Sequence, residues 1–326
     1  MIGTDVRRAA EVLAAGGLVA LPTETVYGLG ADAASDEAVA RIFTVKGRPR
    51  AHPLIVHLAP EAELEGWARE VPRVARALAA AAWPGPLTII LRRGPRVAAA
   101  TTGGADTVGL RVPSHPMAQA LLRELGGGIA APSANRFGGV SPTTAAHVEE
   151  DLGDDVDYIL DGGPCEVGVE STIVDLSRER PAILRPGGLP REAIEAVTGP
   201  LVEPDAGAPA APGTLASHYA PAAQVVAVEP ADVPAAIAAA FLREDFAVRV
   251  AVLAPASAFA AWGPLAPAVP VPLPDDASGM ARALYAALRD LDAAGVDVVI
   301  AALPPAAGLG EAVADRLRRA AGARES

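Results

Sequence analysis

Among 326 residues the chain has one cysteine, one lysine and one asparagine. Cys165 alone excludes an intrachain disulfide and every zinc site built from several cysteines. No P-loop can form, because that motif needs a lysine followed by Ser or Thr, and Lys46 is followed by Gly47 and Arg48. A dinucleotide fingerprint is also lacking. Gly28 to Ala33 reads GLGADA, but it follows PTETVY and no acid stands about 20 residues later to hold a ribose. The histidines, His52, His57, His115, His147 and His218, are dispersed and form no HExxH, so no metal held by protein side chains is expected. A long apolar run is missing too. The uncharged stretch from Val250 to Pro274 carries Pro255, Pro264, Pro267, Pro270, Pro272 and Pro274, which rules out a membrane helix there. Asp5 and Glu11 fall where an export signal needs a positive and then an apolar region, so a cytoplasmic protein is expected.

Positive charge is scarce. The net charge is -12, and no segment is basic: residues 1–192 hold 19 cations against 24 acids, 193–221 none against 3, and 222–326 hold 8 against 12. Gripping nucleic-acid phosphates requires the opposite balance. Of the 27 cationic residues 26 are arginine, which leaves Lys46 conspicuous, as Asn135 is among the amides. Compositional drift could have left each of them anywhere; both fall inside the motifs below.

What is present is an alternation of helical patterns with short β-rich runs, which suits a mixed α/β class. Thr4 is read as the N-cap of a helix to Ala15, Ser35 as the cap of one through Phe43, and Pro72 as the opening of one ending near Ala82. Another helix spans Met117 to Leu125, and one more begins at Thr143 or Thr144. The runs LVALP, LIVHL, LTIIL, VGLRV, GIAA, YIL, TIVDL and AILR read as strands. Between residues 198 and 221 the chain is rich in proline, glycine and alanine and holds no Lys or Arg, which marks a linker. The expected domains are therefore 1–197, a linker 198–221, and 222–326. In the last, QVVAV, VRVAVLA and DVVIAAL read as strands, with helices near 233–242, 278–291 and 309–321.

Four segments carry polar groups suited to chemistry. In TETVYGLG, Thr23, Glu24, Thr25 and Tyr27 lie at a strand exit, either as a site wall or as an ordinary glycine-rich turn. In TVKGRPRAHP, Lys46, Arg48, Arg50 and His52 crowd a turn suited to a polyphosphate; cations closing a helix C-terminus would explain Lys46 but not all four. Thr107 precedes the strand in which Arg111 interrupts an apolar run, and a charge so placed needs a partner or a ligand, most simply a carboxylate. Ser133, Asn135 and Ser141 surround glycines after a strand, as phosphate or ribose contacts or as a polar turn with a helix cap. Further on, Ser171 and Thr172 stand at a strand entrance and Arg185 at a strand exit. Cys165, with no histidine near it in sequence, reads as a packed small residue.

In this order PTETVYGLG, KGRPRAHPLIVHL, WPGPLT, TVGLR, APSAN, SPTTAAHV, GVESTIVD and LRPGG resemble the YrdC-like threonylcarbamoyl-AMP synthases. PGTLASHYAP and GLGEAVADRLRRA resemble the long, two-domain form of that family. The resemblance implies a twisted mixed α/β sheet with a large open cavity, a linker, and a smaller Rossmann-like α/β domain. It implies condensation of ATP, L-threonine and bicarbonate into L-threonylcarbamoyl-adenylate, with release of pyrophosphate and with Mg²⁺ accompanying ATP. A separate threonylcarbamoyl transferase would then modify tRNA, so direct tRNA binding would be weak or indirect. Carried onto matching positions, Thr25, His57, Arg111, the backbone at Ala131, and Ser171 would surround threonine. Arg48, His52, Thr107, Ser133, Ser141, Arg185 and Tyr219 would contact ATP, with Lys46 beside Arg48 at the catalytic centre and Tyr27 and Asn135 as further candidates. The family commonly has asparagine or histidine where His52 stands. The linker position of Tyr219 suggests a lid. Two competing readings are a double-stranded RNA or tRNA binding module of ribosome maturation, disfavoured by acidic charge throughout, and a carbamoyltransferase of hydrogenase maturation. Chains of the latter kind carry cysteine-rich zinc modules.

Overall fold

Eleven short aliphatic runs of the first 200 residues pair into one sheet, although several are only two or three residues long. The computed structural model describes residues 1–215, 218–243 and 248–322. It divides into two units, the first holding Met1–Phe137 and Ser141–Thr214, the second Gly138–Val140 and the chain from Leu215 onward. The division falls within the span read as linker, and residues 199–214 go with the first unit.

Strands of the first unit are β1 (Ile2–Gly3), β2 (Val19–Leu21), β3 (Gly28–Asp32), β4 (Ile55–His57), β5 (Ala68–Arg69) and β6 (Leu87–Arg93). They continue with β7 (Thr107–Arg111), β8 (Ile129–Ala130), β9 (Tyr158–Leu160), β10 (Thr172–Asp175) and β11 (Ala182–Arg185). Across the mixed sheet they run β1-β9-β2-β3-β8-β4-β7-β6-β10-β11, with β5 paired to β6. The helices are α1 (Val6–Ala14), α2 (Asp36–Lys46), α3 (Arg73–Ala82), α4 (Pro116–Leu125), α5 (Ala145–Leu152) and α6 (Arg191–Thr198).

Local chemistry sets most of these ends. Ser35 caps α2 by accepting from the Ala38 amide at 3.1 Å, and Gly47, at φ +65°, closes it in the left-handed region. At α1 the cap is Asp5 and not Thr4: its carboxylate accepts from the amides of Arg7 at 3.0 Å and Arg8 at 3.1 Å. Strand β3 is absent from the sequence reading because GLGAD holds two glycines and looks like a turn.

Alternation along the strands separates two faces. On one, Leu54, Val56, Leu58, Ile89, Leu91, Val108 and Leu110 join α2, α3 and α5 in the largest core cluster. On the other, Ile129 and Ala131 pack with Ala9, Ala10 and Leu13 of α1 and with Leu121 and Leu122 of α4. That second core ends at β8. Beyond it, on the same face, Ile55, Ile90 and Ile173 form a small cluster that includes no helix residue and is joined by Ala211 of the arm 199–214.

The second unit has a parallel sheet of β12 (Gln224–Val228), β13 (Val250–Pro255), β14 (Val269–Leu273) and β15 (Val298–Ala302), in the order β12-β15-β13-β14. Helices α7 (Val233–Arg243), α8 (Phe259–Trp262), α9 (Ala277–Ala293) and α10 (Leu309–Ala320) accompany it. Of its strands only β14, sequence VPVPL, lacks a counterpart in the sequence reading, since proline argues against a strand; the short helix α8 lacks one too. Strand β14 pairs with β13 alone, and an edge is where proline is tolerated.

Leu110, fully buried in the middle of the first sheet, tests this core. Leu110→Ala is expected to cost about 2–5 kcal/mol, read as a lowered midpoint in urea unfolding.

Candidate active site

Strand register brings the polar residues of the open face into one row. His57 lies opposite Arg111, and one step beyond the Ile89–Leu110 pair sets Thr88 opposite Arg111. Thr88 lies opposite Ile173, and Ile173 opposite Arg185. The row thus crosses β4, β7, β6, β10 and β11. The next rung is Ile55, Gly109 and Ile90, where the glycine keeps the floor low: a Cβ there would stand 3.1 Å from the Thr88 methyl and 3.5 Å from Ile55. Thr107, two residues before Gly109 on the same strand, shares this face.

At one end of the row the loop after β2 supplies the wall. Thr23 and Thr25 hydroxyls are 2.8 Å apart, and the Thr23 oxygen accepts from the amides of Thr25 and Val26, both at 3.2 Å. Nη2 of Arg111 donates to Glu24 Oε1 at 2.7 Å and to the Thr25 hydroxyl at 2.8 Å. Glu24 Oε2 accepts from the Ser114 amide at 3.1 Å. Both charged groups are buried, and Nε of Arg111 has no partner. The Nδ1 atom of His57 makes no hydrogen bond of normal geometry. Burial, and then the Arg111 charge, push its imidazole down to about 3, so it is neutral near pH 7. Ser171 comes to the row through Thr88, hydroxyl to hydroxyl at 2.8 Å, and Arg185 donates to its carbonyl at 2.8 Å. The Ala131 amide donates to the Ile55 carbonyl at 2.9 Å.

A second group surrounds the loop after β8. Lys46 is buried, and its Nζ donates to the carbonyls of Ser133, at 2.7 Å, and Asn135. Burial, then the neighbouring Arg48, lower its pKa well below the ordinary value; even a neutral amine carries the two protons these carbonyls take. Ser133 donates its hydroxyl proton to Asn135 Oδ1 at 2.5 Å, while the Asn135 Nδ2 donates to the Arg136 carbonyl at 2.8 Å. Ser141 likewise donates to Glu170 Oε1 at 2.6 Å. Both serine hydroxyls therefore have their protons committed and can act toward any further partner only as acceptors. Arg48 donates to the Pro53 carbonyl at 3.0 Å and lies over the Phe137 ring, whose edge also meets His52 at 5.6 Å. Burial, then Arg48, lower the His52 pKa.

Two further candidates are tyrosines. The Tyr27 ring is fully buried in the large core, and its hydroxyl donates to the Gly163 carbonyl at 2.7 Å, so it braces a turn. Tyr219 belongs to the second unit, at φ +61°, with its ring stacked on Tyr285 at 5.9 Å and under the Arg316 guanidinium at 4.9 Å. The Cys165 thiol is pushed up to about 12, chiefly by burial and then by Glu24, and stays protonated at neutral pH. Sequence reasoning missed Thr88, Phe137 and Glu170 altogether: nothing in LTIIL, NRF or GVES distinguishes them before the fold brings the strands together. A cleft of about 450 Å³ beside Trp67, Arg96, Leu122 and Arg123 contains none of the nominated residues.

His57 gives a signed pH effect. Its pKa falls from an ordinary 6.5 to about 3 on folding, so the unfolded chain binds the extra proton. Its contribution to stability is complete above pH 6.5 and is lost as pH falls from there toward 3. In thermal melts from pH 8 to 4, His57→Gln is expected to flatten the acid-side fall of Tm.

Two family models match the chain. One, described as "Telomere recombination", covers residues 11–187, and the other, described as "Threonylcarbamoyl-AMP synthase, C-terminal domain", covers residues 189–322. The threonylcarbamoyl-AMP synthase of Pyrococcus abyssi is 44% identical over 330 residues, which cover 98% of this chain and 94% of that one. That of Bacillus subtilis is 42% identical over 333 residues, with the same shares, 98% and 94%. Among solved structures, P. abyssi Sua5 complexed with L-threonine matches with a TM-score of 0.89 at 42% identity, over 97% of this chain and 94% of that one. Identity of this extent, running through both units and through the strands that carry the polar row, means that the chain belongs to the threonylcarbamoyl-AMP synthase family in its long, two-domain form.

Proposed function

We propose that the polar row His57–Arg111–Thr88 with Thr25 and Ser171 takes L-threonine, and that the loops carrying Arg48, His52, Ser133, Ser141 and Arg185 take ATP. The reaction is the family's: L-threonine, bicarbonate and ATP give L-threonylcarbamoyl-adenylate and pyrophosphate. What carries the residue assignment is Arg111, a buried guanidinium with an unpartnered Nε on a stretch of sheet face whose small apolar cluster includes no helix residue. A P. abyssi relative binds L-threonine, and an α-carboxylate is the ligand such a group takes most readily.

Chemically, the carbamate formed on the threonine amine is short-lived in water. Its oxygen must meet the α-phosphorus of ATP in line, so positioning and exclusion of water dominate. His57, neutral and buried, shapes that end without adding charge. Ser133 and Ser141, whose protons are already committed, suit the hydroxyls of a ribose as acceptors. Lys46 acts by holding the carbonyls of Ser133 and Asn135, which sets the loop those serines stand on. Mg²⁺ fits as an ion carried by the phosphates: among the described residues no group of three or more His, Cys, Asp or Glu side chains could hold a metal. When bound it would offset charge on the departing pyrophosphate. Thr107 completes the floor. The product passes to a threonylcarbamoyl transferase acting on tRNA, and tRNA itself binds weakly or through that partner, in keeping with the net charge of -12. No helix among the described residues is long and apolar enough to cross a membrane, and a cytoplasmic site of action fits the tRNA pathway.

Incubation with ATP and bicarbonate is expected to release pyrophosphate only when L-threonine is added; threonine-independent release would refute the substrate assignment. Lys46→Ala leaves two carbonyls unsatisfied and is expected to raise KM for ATP by about tenfold or more while moving KM for threonine less. A normal KM for ATP would mean that the clamp on the Ser133 loop has no bearing on nucleotide binding.

A further inference from the structure

Glu24 has no role in the site as assigned so far, yet both of its carboxylate oxygens are engaged by donors. Only 3% exposed, it stands on the loop after β2, while Arg111, 4% exposed, ends β7. Oε1 takes the Arg111 Nη2 proton at 2.7 Å and Oε2 takes the Ser114 amide at 3.1 Å. The Thr25 hydroxyl takes a second Nη2 proton at 2.8 Å. With both oxygens occupied by donors, Glu24 is badly placed to remove a proton from substrate. Fixing a plane is what this arrangement does. A guanidinium held at Nη2 by two acceptors from one loop cannot rotate about its long axis, and its unpartnered Nε is then aimed in one direction.

We infer that Glu24 is a positioning residue for amino-acid recognition: by holding Nη2 of Arg111 against the Ser114 amide, it orients the Nε edge that meets the substrate carboxylate. This rests on the reading of Arg111 as the carboxylate-binding group. Charge alone would act in the opposite sense. Glu24 neutralises Arg111, so if it served only to balance charge, its removal would leave a bare cation and strengthen the attraction for a carboxylate. Positioning and neutralisation thus predict opposite signs for one substitution.

Glutamine separates them, since it has one acceptor for two donors: when its oxygen serves Arg111, its amide faces the Ser114 N–H, and the reverse. Steady-state pyrophosphate release and calorimetric binding of L-threonine are measured for wild type, Glu24→Gln, Glu24→Asp and Arg111→Ala. Positioning predicts that Glu24→Gln raises both KM and Kd for L-threonine by about ten- to hundredfold, with KM for ATP and kcat at saturating threonine changed much less. Aspartate keeps both acceptors but is one methylene short, and it is expected to give a smaller rise of the same sign. If Glu24→Gln does not fold, as judged by circular dichroism and thermal melting, Glu24→Asp decides by the same criterion. Unchanged or tighter threonine binding in the folded variant overturns the inference, as does an equal loss toward ATP and threonine. Arg111→Ala separates the two layers: if it leaves threonine binding unchanged, the underlying reading fails; if it weakens threonine while the Glu24 variants do not, only the role of Glu24 fails.

Discussion

A guanidinium taken out of water must be neutralised and hydrogen-bonded where it stands, and Arg111 organises the open face of the first sheet around that requirement. Its anion is supplied by Glu24, 87 residues earlier in the chain, so the pair forms only if β7 and the loop after β2 are brought together across several intervening strands. Once formed, the pair ties down the loop that carries Thr23 and Thr25 and leaves the Arg111 Nε without a partner, while the Arg111 charge helps hold His57 in its neutral form. Removing either partner would leave the other as an uncompensated buried charge, which costs far more than the pair contributes.

Elsewhere the cations of the site are anchored by backbone carbonyls. Arg48 holds Pro53, Arg185 holds Ser171 and Pro212, and Lys46 holds Ser133 and Asn135. Lys46, Arg48 and Arg185 therefore each double as a brace for a loop. The chain is acidic overall, yet these three cations are buried at braced positions.

Much of this was legible in the sequence. Aliphatic runs gave the strands, Ser35 and Gly47 the ends of α2, and Arg111 inside VGLRVP the demand for a partner. The sequence could not say which carboxylate would meet Arg111, because that depends on register between distant strands. Nor could it show which way a side chain turns: Lys46 points inward to two carbonyls, Tyr27 into the large core, and Ser133 and Ser141 give their protons to Asn135 and Glu170. Glycine concealed β3 and proline concealed β14, in each case because packing and edge position override weak intrinsic preference.

The prolines of β14 bear on how this protein behaves when crowded. A parallel sheet with a bare outer strand invites a strand from another molecule to extend it, and such growth is the first step toward fibrils. Pro270 and Pro272 leave two positions of that strand with no hydrogen to donate, on an edge where Val269 is 58% exposed and would otherwise be attractive. The second unit thus keeps its most exposed strand from acting as a template, and replacing those two residues would put the solubility of the whole chain at risk before its catalysis.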